Sequence, residues 1–296
     1  MGRTKLYLDD DIPSHSKRVW RLFAAKPQGL IGLWGVAILL LLSCLGPYIA
    51  PYAAEYQDQS ALLMPPSWSN QGAVSHFLGT DDLGRDIFSR LLHGAQYTFG
   101  VALLVVICAL FAGVIIGSIS GMMRGLKSSI LGHLLDALLS IPSLLMAILV
   151  VAITGPGLSN VFWAVGISLT PQFVRSIHQT VHDELQKEYV TAATLDGANP
   201  LQVFWYVIMP NVWDTVIIQT TLAMSAAILD IAALGFLNLG AQAPMPEWGA
   251  MVMQGLDNFL FAPWTVTIPG ISILLSVLAV NLVGDGLRSA LAPMRN

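Results

Sequence analysis

Charge is what this chain of 296 residues has least of. Only 11% of its residues are Asp, Glu, Lys or Arg, while 55% are hydrophobic; an ordinary soluble domain carries about 25% charge. A water-soluble fold of this length needs polar faces around its core, and the polar side chains here are too few to supply them. Apolar residues instead run unbroken over spanning lengths, so lipid is the solvent for most of the chain. Cysteine is scarce too. Cys44 and Cys108 both fall inside apolar runs, with no neighbour at metal-ligand or redox spacing; both are expected to be small buried hydrophobes. Basic excess is absent, since 14 basic and 18 acidic residues leave a net charge of −4, which argues against nucleic acid as a partner. A phosphate cradle is missing as well. Gly79-x4-Gly84 has the glycine spacing of a P-loop, but Arg85 and Asp86 stand where Lys and Ser or Thr are needed, so this chain binds no ATP and has no visible cofactor or metal site. There is no H-E-x-x-H and no Ser–His pairing at membrane depth to support a membrane-embedded protease.

What is present is a set of long apolar runs. A helix rises 1.5 Å per residue, so about 20 apolar residues cross the hydrocarbon. Six spans are expected, over Leu30–Ala50, Thr98–Ser120, Leu134–Ile153, Val161–Val174, Thr215–Leu237 and Trp264–Val283. The fold class is therefore all-α, a polytopic integral membrane protein. The fourth run is short and contains Pro171; it is kept because five spans would put the following loop on the wrong side. Residues 1–29 form a polar tail with Asp9, Asp10 and Asp11, unlike a cleavable signal, so the first run is a retained anchor. Residues 51–97 form an outer loop, 98–283 a core of five spans with an inner loop at 183–211, and 284–296 a second tail.

Orientation follows from basic residues, which concentrate in cytoplasmic loops. Arg3, Lys5, Lys17, Arg18, Arg21 and Lys26 lie in the first tail, Arg124 and Lys127 in the second loop, Arg175 and Lys187 in the fourth, and Arg288 and Arg295 at the end. Only Arg85 and Arg90 fall outside this set, so both termini are expected to be cytoplasmic. The outer loops then carry Glu55, Asp58, Asp81, Asp82, Asp86, Glu247 and Asp257. Such an acidic vestibule would favour cationic cargo, and the same excess also follows from positive-inside bias alone.

The inner loop carries the most informative pattern. Glu188-Tyr189-Val190-Thr191-Ala192-Ala193-Thr194-Leu195-Asp196-Gly197-Ala198-Asn199-Pro200 continues to Val207-Ile208-Met209-Pro210. A polar helix is expected to begin near Asp183, Gly197 to turn the chain, and Pro200 to open a second short helix ending before Pro210. Alanines on an exposed face let another protein approach closely, and Glu188 can meet an arginine there.

Ala192-Ala193-x3-Gly197, followed by Pro210 at its set spacing, resembles the EAA loop of ABC importer permeases. Tyr189, Val207 and Met209 depart from the commoner residues of that loop. Leu78-Gly79-Thr80-Asp81-Asp82-Leu83-Gly84-Arg85-Asp86 with Ser89-Arg90, the run Ala227–Leu237 with Gly240-Ala241-Gln242 and Pro246-Glu247-Trp248-Gly249, and Gly284-Asp285-Gly286 are similar to the C-type subunit of the dipeptide and oligopeptide permeases. The likeness covers nearly the whole chain and is nearest to the Sap branch. It implies the type I importer permease fold in a bacterial inner membrane. It also implies a homologous second permease, two ATP-binding subunits that hold ATP and Mg, and a periplasmic substrate-binding protein. In such a transporter Glu188, Tyr189, Ala192, Ala193, Gly197 and Pro210 would lie on the coupling surface that docks into the ATPase. The resemblance leaves the cargo open among dipeptides, oligopeptides, antimicrobial peptides and a small polyamine such as putrescine.

Other features have two readings each. Asp230 lies in the fifth span, where a carboxylate is costly; it either lines the translocation pathway or makes a packing hydrogen bond. An ion-gradient-driven secondary transporter would use Asp230 as its coupling site, but that class shows internal repeats and several intramembrane ionisable groups, and neither is visible. Asp136, with His133 nearby, reads as a solvated helix end. Gly113, Gly117 and Gly121 recur every four residues, which suits close helix packing. Pro142, Pro269 and Gly270 mark expected breaks in spans three and six. Trp34, Trp163, Trp213 and Trp264 suit an interfacial belt.

Overall fold

The computed structural model describes residues 15–123 and 125–292. Asp9, Asp10, Asp11, Arg3, Lys5, Arg124 and Arg295, named above for charge and orientation, lie outside the described residues. The described chain is helical throughout, with a single isolated β-bridge between Thr80 and Asp86. In order, the helices are α1 His15–Ala24, α2 Pro27–Ile49, α3 Ile87–Ala95, α4 Val101–Gly121, α5 Leu126–Leu139, α6 Ser143–Thr154, α7 Leu158–Glu184, α8 Glu188–Leu195, α9 Pro200–Gln202, α10 Met209–Phe236, α11 Trp248–Gly255 and α12 Trp264–Leu291. Two π turns, Gln96–Gly100 and Val203–Ile208, join α3 to α4 and α9 to α10 without breaking the helical path.

Among the described residues, four continuous helical stretches are long and apolar enough to cross a membrane: 27–49, 87–121, 200–236 and 264–291. The pair α5 and α6 makes a fifth, bent by 82°. Pro142 is the cause. It removes a backbone donor at the start of α6 and disfavours helix at the residue before it. The fourth expected span, α7, has 27 residues and is about 40 Å long. Its composition is less apolar because its lower half carries Arg175, His178, His182 and Asp183. Lipid need solvate only one side of it, since Val161, Ala164, Val165, Leu169, Phe173 and Ile177 are buried within the bundle while Trp163 and Ile167 are exposed.

The core forms where α4, α6, α7 and α10 meet, around Val105, Ala147, Val151, Phe173, Ala227 and Ile228. Helix α4 presents its glycine stripe to α7. A Cβ on Gly117 would stand 2.9 Å from the Ile177 Cβ, and one on Gly121 would stand 2.8 Å from the Val181 Cβ, with Gly113 equally tight against Phe173. The four-residue spacing is thus a packing seam, as expected.

Several local expectations are corrected. Pro171 and Pro269 lie inside continuous helices, so neither breaks its span, and neighbouring helices accommodate the lost donors. Span two begins at Ile87 rather than Thr98, because a π turn absorbs the glycine and polar residues that suggested a boundary. Cys44 and Cys108 are exposed rather than buried; in an apolar run of a membrane helix, the outward face needs small apolar residues as much as the core does. Trp34, Trp163 and Trp213 are exposed, but Trp264 is drawn inward, where its indole N–H donates to the Thr80 carbonyl at 3.0 Å. Asp136 forms an ion pair with Arg175 at 3.2 Å.

Candidate functional site

The inner loop is a rigid turn between two helices. α8 begins at Glu188 rather than near Asp183, which still belongs to α7. Its end is a Schellman motif: the Ala198 N–H donates to the Ala193 carbonyl and the Gly197 N–H to the Thr194 carbonyl, both at 3.1 Å. That closure needs a residue with positive φ, and Gly197 has φ of 93°. The next helix opens on a complete capping box. Asn199 Oδ1 accepts from the Gln202 N–H, Gln202 Oε1 accepts from the Asn199 N–H, both at 2.9 Å, and Pro200 takes the first helical position.

The second helix does not end before Pro210. It passes through the π turn Val203–Ile208 and becomes α10. A wide turn bonds from i to i+5, so a proline just after it interrupts less of the ladder than it would in plain α-helix. Pro210 therefore marks the passage from inner loop to span, and the loop is continuous with the membrane helix.

Val190 anchors α8 on a small core with Ile177, Val181, Ile208, Met209 and Val212. A polar knot fixes the opposite side. Tyr189 donates its hydroxyl hydrogen to Glu184 at the end of α7 and accepts from Asn211 Nδ2, at 2.9 Å, at the start of α10; Lys187 donates to the second Glu184 oxygen at 2.6 Å. Burial first, and then the Glu184 bond, push the Tyr189 phenol up to about 12, so it stays a donor at any physiological pH. Outside this knot the loop is bare: Ala192, Glu188 and Gly197 are exposed, and so are Leu195 (82%) and Tyr206 (80%), with Leu201 and Trp205 beside them. Large apolar side chains left exposed on a loop suit an interaction surface.

Asp230 stands apart from that loop, on α10 and 7% exposed. The Ser143 hydroxyl, at the first residue of α6 just beyond the 82° bend, interacts with its carboxylate, and its Oδ2 has no hydrogen-bond partner among the described residues. The sequence offered Asp230 but not Ser143, whose relevance depends on the bend.

The outer end is built from the Leu78–Asp86 segment. Gly79 and Gly84 have φ of 83° and 73°, so the P-loop-like spacing is a turn requirement. Asp81 accepts from the Leu83 and Arg85 backbones at 3.0 and 2.9 Å and from Arg85 Nε at 2.7 Å. Asp86 caps α3 through Ser89 at 2.7 Å and contacts His76 Nδ1 at 3.1 Å. Arg85 and Arg90 both donate to Gln254 Oε1, at 3.2 and 3.0 Å. Glu247 caps α11 through the Gly249 and Ala250 N–H groups and accepts from the Thr98 hydroxyl at 2.9 Å; burial outweighs these bonds and raises it to about 7. Asp81, Asp86 and Glu247 are thus engaged within the chain, and among the seven outer acids Glu55, Asp82 and Asp257 are exposed.

These features define a membrane permease with the fold of type I ABC importers. The transmembrane subunit of the inward-facing MetNI methionine ABC transporter aligns with a TM-score of 0.55 at 16% identity, covering 68% of this chain and 96% of that one. The chain belongs to the family described as binding-protein-dependent transport system inner membrane component, matched over residues 113–295. Residues 14–66 match the N-terminal TM domain of oligopeptide transport permease C, which makes it a C-type subunit. It is 51% identical over 291 residues to the peptide transport system permease protein SapC of Escherichia coli O6:H1 strain CFT073, covering 98% of each chain, and 52% identical, with the same coverage, to SapC of Salmonella typhimurium strain LT2. It is 43% identical to the di/tripeptide transport system permease protein DppC of Pseudomonas aeruginosa strain UCBPP-PA14, over 95% of this chain and 93% of that one.

Proposed function

We propose that this chain is one permease of an ATP-driven importer that carries peptides across the bacterial inner membrane. It pairs with a homologous permease, and two further subunits bind and hydrolyse ATP with Mg. A periplasmic binding protein delivers cargo, both termini face the cytoplasm, and the α8 patch seats against the ATPases. The carrying observation is α8 itself, an exposed helix closed at its C-terminal end by the Gly197 turn and tied by Tyr189 to α7 and α10 at once. A load on that face passes into two spanning helices without a flexible joint. Asp230, beside the bend of span three, faces the pathway and meets cationic or amino-terminal groups of the cargo, so antimicrobial peptides and polyamines such as putrescine fit the reading as well as dipeptides do. The relatives' names, peptide transport system and di/tripeptide transport system, supply the cargo class.

The test co-expresses the chain with its genomic neighbours and compares wild type with Gly197→Asp. An aspartate has room there but strains a backbone at positive φ. The expected result is a complex that hydrolyses ATP and loses its ATPase subunits, and at least tenfold of its transport, in the variant, while helical content is unchanged. Co-purification and transport that survive Gly197→Asp would remove the coupling role of α8, and if no ATPase co-purifies even with the wild type, an ion gradient acting at Asp230 becomes the reading to pursue.

A further inference from the structure

The first described helix, α1, is strongly two-sided. Its sequence, His-Ser-Lys-Arg-Val-Trp-Arg-Leu-Phe-Ala, contains no acid. At 100° per residue, Lys17, Arg18 and Arg21 fall within one arc of about 100°, and all three are exposed, as is Lys26 in the short link to α2. Val19 and Phe23 turn the other way, and Leu22 lies at the edge of the cationic arc. Phe23 is buried and fixes the helix: a Cβ added to Gly29 would lie 2.9 Å from its ring, and one added to Gly286 would lie 2.7 Å from it. Trp20 sits at the border of the two faces, stacked on Phe23 with ring centroids 5.8 Å apart and 57% exposed.

We propose that α1 is a binding helix for anionic phospholipid, with Lys17, Arg18, Arg21 and Lys26 meeting headgroup phosphates and Trp20 resting at the acyl boundary. The position argues for lipid over protein. Lys26 immediately precedes Pro27, where the first span begins, so the four cations stand at headgroup level, and a cluster of four next to a spanning helix is the size that holds an anionic leaflet. A cationic arc bordered by tryptophan is the pattern of an interfacial helix. α1 also lies at the same end of the bundle as the coupling loop, since Trp20 and Phe23 share a cavity of about 1020 Å³ with Glu184, Asn211 and Leu287. The proposal goes beyond the permease reading and does not depend on it.

The purified full chain in symmetric nanodiscs, which offer the same lipid on both faces, tests this by native mass spectrometry of retained phosphatidylglycerol against phosphatidylcholine. Wild type should retain phosphatidylglycerol selectively and lose it with rising salt. The variant K17Q/R18Q/R21Q/K26Q should retain on the order of several hundredfold less, given about fivefold per charge near the surface, while R18K/R21K should match wild type because the attraction needs charge and not shape. If the fourfold variant does not fold, R18Q/R21Q gives the same reading at smaller amplitude. Equal retention by wild type and the glutamine variants overturns the proposal, as does unchanged retention together with loss of co-purifying ATPase, which would make the basic face a protein interface.

Discussion

The two ends of this molecule handle polar chemistry in opposite ways. At the outer end, Asp81, Arg85, Arg90 and Gln254 are bonded to one another, while Asp86 bonds Ser89 and His76 and Glu247 bonds Thr98 and the start of α11, so that segments far apart in sequence are held together. At the inner end, polar groups are gathered into a single knot around Tyr189, and the apolar residues Leu195, Leu201, Trp205 and Tyr206 are left outside. One end satisfies itself. The other is finished in form but not in burial, and its exposed face implies that another surface completes it.

Breaking the outer block should have the largest effect. Arg90 is 2% exposed, and Arg90→Met leaves the Asp81 and Gln254 acceptors facing an uncharged side chain. Removing one member of a buried ionic network costs about 3–5 kcal/mol, so the melting temperature in detergent should fall well below that of any inner-loop variant, and an unchanged melting curve would contradict the comparison. The pH dependence of the same end of the molecule is next. Glu247 rises from 4.5 to about 7 in the fold, so the native state holds its proton more tightly than the unfolded chain does. Its contribution is full below about 4.5 and is lost as pH rises through 7, at a slope approaching 1.4 kcal/mol per pH unit. Melting temperatures of wild type and Glu247→Gln, measured from pH 4 to 8, should diverge across that window, and parallel curves would count against it.

The inner end should behave differently. Tyr189→Phe removes a hydrogen bond to a charged group, worth about 1.5–3 kcal/mol, but the knot lies at the edge of the bundle. Thermal stability should drop little, while transport per ATP hydrolysed in proteoliposomes falls several-fold; equal losses in both would show that the knot only stabilises. Asn199→Ala, which opens the capping box, should cost about 1 kcal/mol and is best read as faster amide exchange confined to residues 199–203.

How much of this was legible in the sequence depended on distance along the chain. The glycine stripe of α4, the turn at Gly197 and the bend at Pro142 each follow from a few adjacent residues, and each is present. Pro210 and Pro171 misled for the same reason: a proline is read locally as a stop, whereas a π turn in one case and tight packing against α4 in the other let the helix continue. The knot escaped because Tyr189 and Asn211 are 22 residues apart, and Gln254 because it meets Arg90 across 164. No periodicity connects such pairs. Ser143 became relevant to Asp230 only through the angle between α5 and α6.

The π turns at Gln96–Gly100 and Val203–Ile208 also change how the long helices can be read by experiment. Each wide turn holds about one residue more than an α turn, and one residue is about 100° of rotation. Side chains before and after the turn therefore keep separate phases on what is, by length, one rod. A substitution scan along residues 87–121 should thus resolve into two stripes of the ordinary 3.6-residue period that do not line up, with the jump between them falling inside 96–100.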